Sequence, residues 1–344
     1  MPSVLITGGA GFIGVNTAVH FLTAGWKVML LDNLSRKGTE KNLSWLDKSH
    51  NNIAFYKVDI RDTEALNEVV KSTRPDLLIH LAAQVAVTTS YTNPREDFEI
   101  NALGTFNIME SVRLYSNETF VLYASTNKVY GGMETVPVQL GERGYEFSEM
   151  PLGVNEEQPL DFHSPYGCSK GVADQYTIDY ARIYGLQTCS FRQSCIYGIR
   201  QFGIEDQGWV AWFSIASLLG KQITLYGDGW QTRDVLNVQD LAKAYHAAWI
   251  KRDEINGQAF NIGGGKNNTL CLRDLLALLE RQLGIKITPN HGESRPGDQP
   301  VFICDISKAK KVLGWEPTIS VENGVRDLIE WVKENRSLFV DPAL

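Results

Sequence analysis

Tyr166 and Lys170 stand four residues apart in Tyr166-Gly167-Cys168-Ser169-Lys170, the single Y-x-x-x-K of the 344-residue chain. On a helix, positions i and i+4 share a face, so an ammonium would lie beside a phenol. A free phenol ionises at about pH 10 and is no base at neutrality. A neighbouring cation favours the phenolate and is expected to bring that value down toward working pH. Tyr166 could then take the proton of a substrate hydroxyl while another group takes the hydride from the same carbon. Thr126, with Ser125 before it, ends an apolar segment and offers a hydroxyl to orient the substrate. Thr126 is the expected partner and Ser125 the reserve.

A hydride acceptor is suggested at the other end of the sequence. Thr7-Gly8-Gly9-Ala10-Gly11-Phe12-Ile13-Gly14 joins an apolar segment to a helical one. Gly8 suits a tight turn, Gly11 a close approach of backbone to a pyrophosphate, and Gly14 close helix–sheet contact. The free N–H groups of the following helix would meet the phosphates. Asp32 ends the second apolar segment about 18 residues further on, where a carboxylate binds a ribose diol. A 2′-phosphate would be repelled there, so NAD is expected over NADP, a preference that Arg36 and Lys37 soften. The positive nicotinamide ring of that cofactor would join Lys170 in favouring the Tyr166 phenolate. Phe12 and Ile13 in the turn, and Asn33, Ser35 and Arg36 after Asp32, complete that side. Asp59 and Ile60 follow the third segment, with Asp59 placed for an adenine amino group or, alternatively, as a helix N-cap. Leu81, Ala82 and Ala83 follow the fourth and suit a wall beside the pyrophosphate and nicotinamide ribose. His80 reads as a satisfied strand-end histidine.

These residues need elements to hold them. Apolar runs at 4–6, 28–31, 53–58, 77–80 and 120–123 read as buried strands, with a sixth at 187–191. Between them Val15, Ala18, Val19 and Leu22 fall on one helical face, and the stretches after Asn101 and from Ala173 to Tyr184 behave alike. Such alternation predicts an α/β fold with a doubly wound, Rossmann-type parallel sheet. After about residue 195 the pattern breaks into loops with short segments at 234–238 and 258–262 and helices at 272–283 and 321–335. A smaller C-terminal α/β substrate domain is therefore expected. The division is 1–190 plus 231–265 for NAD, and 191–230 plus 266–344 for the substrate. Residues 131–161 read as a long polar loop.

Composition narrows the function classes. With 43% hydrophobic and 21% charged residues the chain is an ordinary globular one. A net charge of -7 argues against a nucleic-acid or membrane-surface binder. Five scattered cysteines without a C-x-x-C, and six scattered histidines, suggest neither a disulfide framework nor a metal site. No signal peptide or membrane span is legible, so a reduced, cytoplasmic enzyme is expected.

The stretches T-G-G-A-G-F-I-G, H-L-A-A-Q, S-T-N-K-V-Y-G, S-P-Y-G-C-S-K and D-I-S-K-A-K-K-V-L-G-W-E-P together resemble the extended short-chain dehydrogenase/reductases over nearly the whole chain. Members mostly modify nucleotide-linked sugars, so the resemblance implies NAD as cofactor and a nucleotide-diphosphate sugar as substrate. It also implies a homodimer or homotetramer through the Asn101 and Tyr166 helices. The dehydratases of that family carry Thr-Asp-Glu where this chain has Thr126-Asn127-Lys128, and decarboxylases a Glu where Lys128 stands. Elimination chemistry is thereby disfavoured, and oxidation followed by re-reduction of one carbon remains. The stretches 32–38, 125–131, 160–170 and 206–209 resemble the branch that inverts C2 of the sugar. A C4 epimerase with the same machinery, or a net NAD(P)-dependent reductase or dehydrogenase, is the alternative.

By the same resemblance, Gln84, Asn127, Gln207 and Trp209 belong to the substrate site. Arg200, Gln201, Arg233 and Arg295 match positions near the base, ribose or diphosphate. Most family members have Asn in an R-x-x-N-x-Y-G segment; here Arg192-Gln193-Ser194-Cys195-Ile196-Tyr197-Gly198 puts Cys195 there. The C2 branch has His-Ser-Ser where this chain has Gln193, Ser194 and Cys195, so those three are candidates for setting the sugar.

Overall fold

The protein is described by a computed structural model covering residues 1–50, 53–294 and 299–339. Strand Ser3–Thr7 is apolar on both faces: Val4 and Ile6 enter one core and Leu5 another. A strand of that kind belongs in a parallel sheet covered by helices on each side. Seven strands form it, in the spatial order Gln258–Ile262, Thr188–Gln193, Phe120–Thr126, Leu77–His80, Ser3–Thr7, Lys27–Asp32 and Ala54–Lys57. All the pairings are parallel. Helices Phe12–Thr23 and Val238–Ile250 close one face with Val15, Phe21, Leu241 and Tyr245. Thr63–Thr73 and Gly104–Tyr115 close the other with Leu66, Val70, Ile108 and Val112. The order of strands reverses between Ser3–Thr7 and Leu77–His80, and ligands of such sheets sit beyond the strand ends at that point.

A second, smaller assembly carries the loops that face this crevice. Strand Thr232–Asn237 pairs with Thr269–Cys271, Val301–Phe302 and Cys195–Tyr197. Helices Trp209–Leu219, Leu272–Leu283 and Val321–Glu334 pack a separate core with Phe213, Leu279, Leu328 and Trp331. The chain passes back and forth between the two assemblies. Thr232–Asn237 pairs within the small one, whereas Ala309, Leu313 and Trp315 join the core of the large one.

Three elements differ from the sequence reading. The 187–191 segment is Thr188–Gln193, whereas Ser125 and Thr126 end strand Phe120–Thr126 as expected. The helix after Asn101 starts with a π-helical turn, Glu99–Leu103. The polar stretch 131–161 contains a hairpin, Val138–Gly141 with Gly144–Phe147. Its alternation is short and largely exposed, which hid it. It is held by packing instead: a Cβ on Gly144 would lie 2.3 Å from the Thr232 hydroxyl and 2.8 Å from the Trp230 carbonyl.

Candidate active site

At the switch point lies a cavity of about 430 Å³, a normal size for a small-molecule site. Its floor is the glycine turn. Gly8 has φ +67, and a Cβ on it would lie 2.8 Å from the Ala82 nitrogen; one on Gly14 would lie 2.4 Å from the Gly8 carbonyl. The helix beginning at Phe12 has Gly11 at its N-cap and no side-chain cap, so its first N–H groups remain available to an anion. Gly11, Phe12 and Ile13 line the cavity.

Asp32 closes the turn from the next strand. Its carboxylate accepts from the Ala10 nitrogen at 3.0 Å and the Leu34 nitrogen at 2.8 Å, while burial raises its pKa. Asn33 donates to Asp59 at 2.8 Å, and Arg61 grips the same carboxylate through Nε at 2.9 Å and Nη2 at 2.8 Å. Arg61 is the main reason that Asp59 is held down at about 2. Asp59 does not cap the next helix; Asp62 does, accepting from the Ala65 nitrogen. Asp59 is thus a charged acceptor on the cavity wall, with Ser35, Arg36, Ile60, Leu81, Ala82 and Ala83. His80 lies beneath, between the hydroxyls of Thr7 at 2.7 Å and Thr105 at 3.0 Å, and burial holds it neutral with a pKa of about 3.

Helix Ser164–Tyr184 brings Tyr166 and Lys170 into the same cavity opposite Thr126. Pro165 opens this helix, where its missing N–H costs nothing. Thr126 hydrogen-bonds the Tyr166 side chain, which favours the phenolate. Ser125 also lines the cavity, but its hydroxyl has no hydrogen-bond partner among the described residues.

The electrostatics correct the sequence reading. Lys170 was expected to bring the phenol down; instead burial pushes Tyr166 up to about 12. The ammonium donates to the Ala124 carbonyl at 2.6 Å and sits 4.3 Å from the Tyr123 ring centre. Burial also pushes Lys170 down to about 7, against the opposing pull of Asp174 and Asp97. Both groups are shielded from water, and each therefore disfavours its charged form.

Among the substrate candidates, Gln193, Ser194, Cys195, Gln201, Gln207 and Trp209 line the cavity. Gln193 donates to the Tyr245 hydroxyl at 2.7 Å and Ser194 to the Asp234 carboxylate, so buried neighbours fix both. Trp209 hydrogen-bonds the Cys195 thiol, whose pKa burial raises. Three residues are placed elsewhere. Gln84 is off the wall because its amide donates to Asp97 at 2.7 Å and to the Ala86 carbonyl at 2.9 Å. Asn127 is buried and accepts from Thr126 at 3.3 Å. Arg233 donates to the carbonyls of Thr232 at 2.8 Å and Gln299 at 2.7 Å, outside the cavity lining. Arg200 contributes to the lining, but its guanidinium stacks 3.7 Å from the centre of Trp45. Arg295 lies outside the described residues.

Residues 5–328 match the family described as GDP-mannose 4,6-dehydratase. The chain belongs to that family. Among its relatives, a CDP-paratose 2-epimerase of Salmonella typhi is 45% identical over 333 residues, 95% of this chain and 98% of that protein. A UDP-glucose 4-epimerase of Thermotoga maritima, solved with UDP-glucose, superposes with a TM-score of 0.84 at 31% identity, covering 97% of this chain and 99% of that one. A UDP-glucose 4-epimerase of Thermus thermophilus, solved with NAD, gives 0.81 at 31% identity over 96% and 99%.

Sequence reasoning missed part of this family member's site. Val85, Ile100, Asn42 and Phe202 line the cavity without any motif to announce them. Asp174 had a signal: it stands four residues beyond Lys170 on the same helical face, fully buried and paired with Arg192 at 3.0 Å. Asp97 had none, since it reaches Ser169 only through the fold.

Proposed function

We propose that this protein is an NAD-dependent epimerase that inverts C2 of a nucleotide-linked sugar, a reaction of the CDP-paratose to CDP-tyvelose type. The observation that carries the reading is the Thr126–Tyr166–Lys170 group followed by Asn127 and Lys128. No carboxylic acid stands at those two positions, and Lys128 donates instead to Gln299 at 3.1 Å. The glycine turn, the open helix N-terminus and Asp32 fit a dinucleotide, with Asp32 taking a ribose diol. NAD held by the glycine turn and Asp32 would supply reversible hydride acceptance at the sugar carbon. Tyr166 moves the hydroxyl proton, and Thr126 orients both oxygens. With its pKa near 12, Tyr166 accepts a proton only when positive charge in the site offsets its burial. Arg36 is the chain's own source of that charge, and Lys170 is read as the group that reaches a ribose. The sugar lies against Gln193, Ser194 and Cys195, with Gln201, Gln207 and Trp209 toward the nucleotide.

Incubating the protein with CDP-, GDP-, UDP- and dTDP-sugars in normal and heavy water, followed by NMR, tests this. Inversion at C2 with the C–H hydrogen retained and no net change in reduced nicotinamide is expected. Inversion at C4, deuterium entering C2, or net cofactor reduction would each overturn it.

We also read residues 1–190 with 231–265 as the cofactor domain and the remainder as the sugar domain. Residues 309–315 pack on the former, 191–193 complete a strand of its sheet, and strand Thr232–Asn237 pairs within the latter. Five free cysteines support a reduced, cytoplasmic location. No helix among the described residues is long and apolar enough to cross a membrane. A homodimer or homotetramer is supported by Phe106, Leu114, Tyr176, Ile183 and Tyr184, large side chains exposed on helices Gly104–Tyr115 and Ser164–Tyr184. Ile183→Glu would place a charge in that contact, and light scattering is expected to show a shift toward monomer. An unchanged mass would remove this face from the assembly.

A further inference from the structure

Arg200 is a buried cation that its stacking partners, not a carboxylate, hold in place. It is 7% exposed, its Nε has no hydrogen-bond partner among the described residues, and burial lowers its pKa. Its guanidinium lies over Trp45 at 3.7 Å and Trp331 at 5.6 Å. Its backbone adopts φ +67, a left-handed conformation that L side chains rarely take. Trp45 belongs to helix Thr39–Ser49 of the large assembly and Trp331 to helix Val321–Glu334 of the small one. The cation therefore bridges the two.

Other contacts run along the same seam. Arg36 donates to Gln207, and both side chains line the cavity. Asn42 donates to the Arg200 carbonyl at 3.3 Å and Lys41 to the Leu338 carbonyl at 3.0 Å. Gly38 packs so closely on Phe202 that a Cβ would lie 2.6 Å from its ring. Phe202 in turn meets Phe339 at 5.4 Å between ring centres. Asn16 ties the loop down by donating to the Ile199 carbonyl at 3.0 Å. Residues of segments 33–42 and 200–210 thus line the cavity and are joined to each other.

We propose that Arg200, clamped by Trp45 and Trp331, is the pin of a clasp that retains the dinucleotide between turnovers. The inference rests on the NAD reading above. An epimerase with zero net redox gains nothing from exchanging its cofactor, so a site closed over the adenosine half suits the reaction. Trp45 lies outside the cavity lining and acts through Arg200, so its loss should speed cofactor release without touching the chemistry.

The test is to load the protein with NAD, desalt it, and follow release into an excess of an NAD-consuming dehydrogenase and its substrate. Trp45→Leu is expected to release NAD roughly tenfold faster, the scale of one desolvated cation–π contact. Trp45→Phe, which keeps an aromatic face, should stay near the wild-type rate, and turnover at saturating NAD should hold in both. A folded Trp45→Leu protein with wild-type release overturns the clasp. Should that variant fail to fold, Lys41→Met decides: faster release supports the clasp, and an unchanged rate overturns it. Wild-type protein that takes up no NAD at all would instead overturn the cofactor reading, and the clasp with it.

Discussion

Tyr166→Phe is expected to lower turnover by about 10²–10⁴-fold, the usual contribution of a positioned proton-transfer group. The substitution removes one oxygen from a side chain that is already buried, and the ring keeps its place in helix Ser164–Tyr184. The glycine turn and Asp32 are untouched, so bound NAD should remain stoichiometric with protein. Measuring product formation by NMR beside the NAD released on denaturation separates the two effects. Loss of rate with retained cofactor places Tyr166 in the chemical step. Near-normal turnover would falsify the assignment of Tyr166 as proton acceptor, and loss of both would make it a cofactor ligand only. Thr126→Val should cost less. It removes a bond that favours the phenolate but leaves the phenol itself.

How much of this was legible in the sequence depended on whether the signal was local. Gly8 to Gly14, Asp32, and the Tyr166–Lys170 pair are defined by spacing within one turn or one helix, and the fold puts them in one cavity. Arg200 and Gln84 matched by position, yet position does not fix where a side chain goes. A left-handed backbone turns Arg200 onto Trp45, and the Gln84 amide is taken by Asp97. The rise of the Tyr166 pKa by burial was not legible for the same reason. The local rule weighs a cation four residues away, whereas burial comes from strands and loops far off in sequence. The hairpin after Val138 was hidden because its stabilising contact is with residues 230–232, not within itself.

Lys170→Met is expected to abolish turnover and yet raise stability at neutral pH. A shift from 10.5 to about 7 means that the folded protein disfavours the charged amine by roughly 4–5 kcal/mol relative to water. Methionine of similar length removes that penalty. Opposing it, the Ala124 carbonyl loses its 2.6 Å donor, a cost of about 1–3 kcal/mol if nothing replaces it. The attraction of Asp97 and Asp174 for the ammonium is already contained in that net shift, and Asp174 keeps Arg192 at 3.0 Å while Asp97 keeps Ser169 and Gln84. The removed penalty is the largest of these quantities, so a net gain of about 1–4 kcal/mol should remain, seen as a melting temperature a few degrees higher. The pH dependence carries the sharper signature. Below about pH 7 both folded and unfolded wild type hold the lysine proton, and the deficit against Lys170→Met is complete. Between about 7 and 10.5 only the unfolded chain still binds it, so raising the pH favours the folded state and the deficit shrinks. Denaturation of both proteins at about pH 6.5 and about pH 9 measures this. A gap that stays constant or widens at the higher pH would show that Lys170 is not held against its charge. It would then be an ordinary ammonium, available from the outset to bring Tyr166 down.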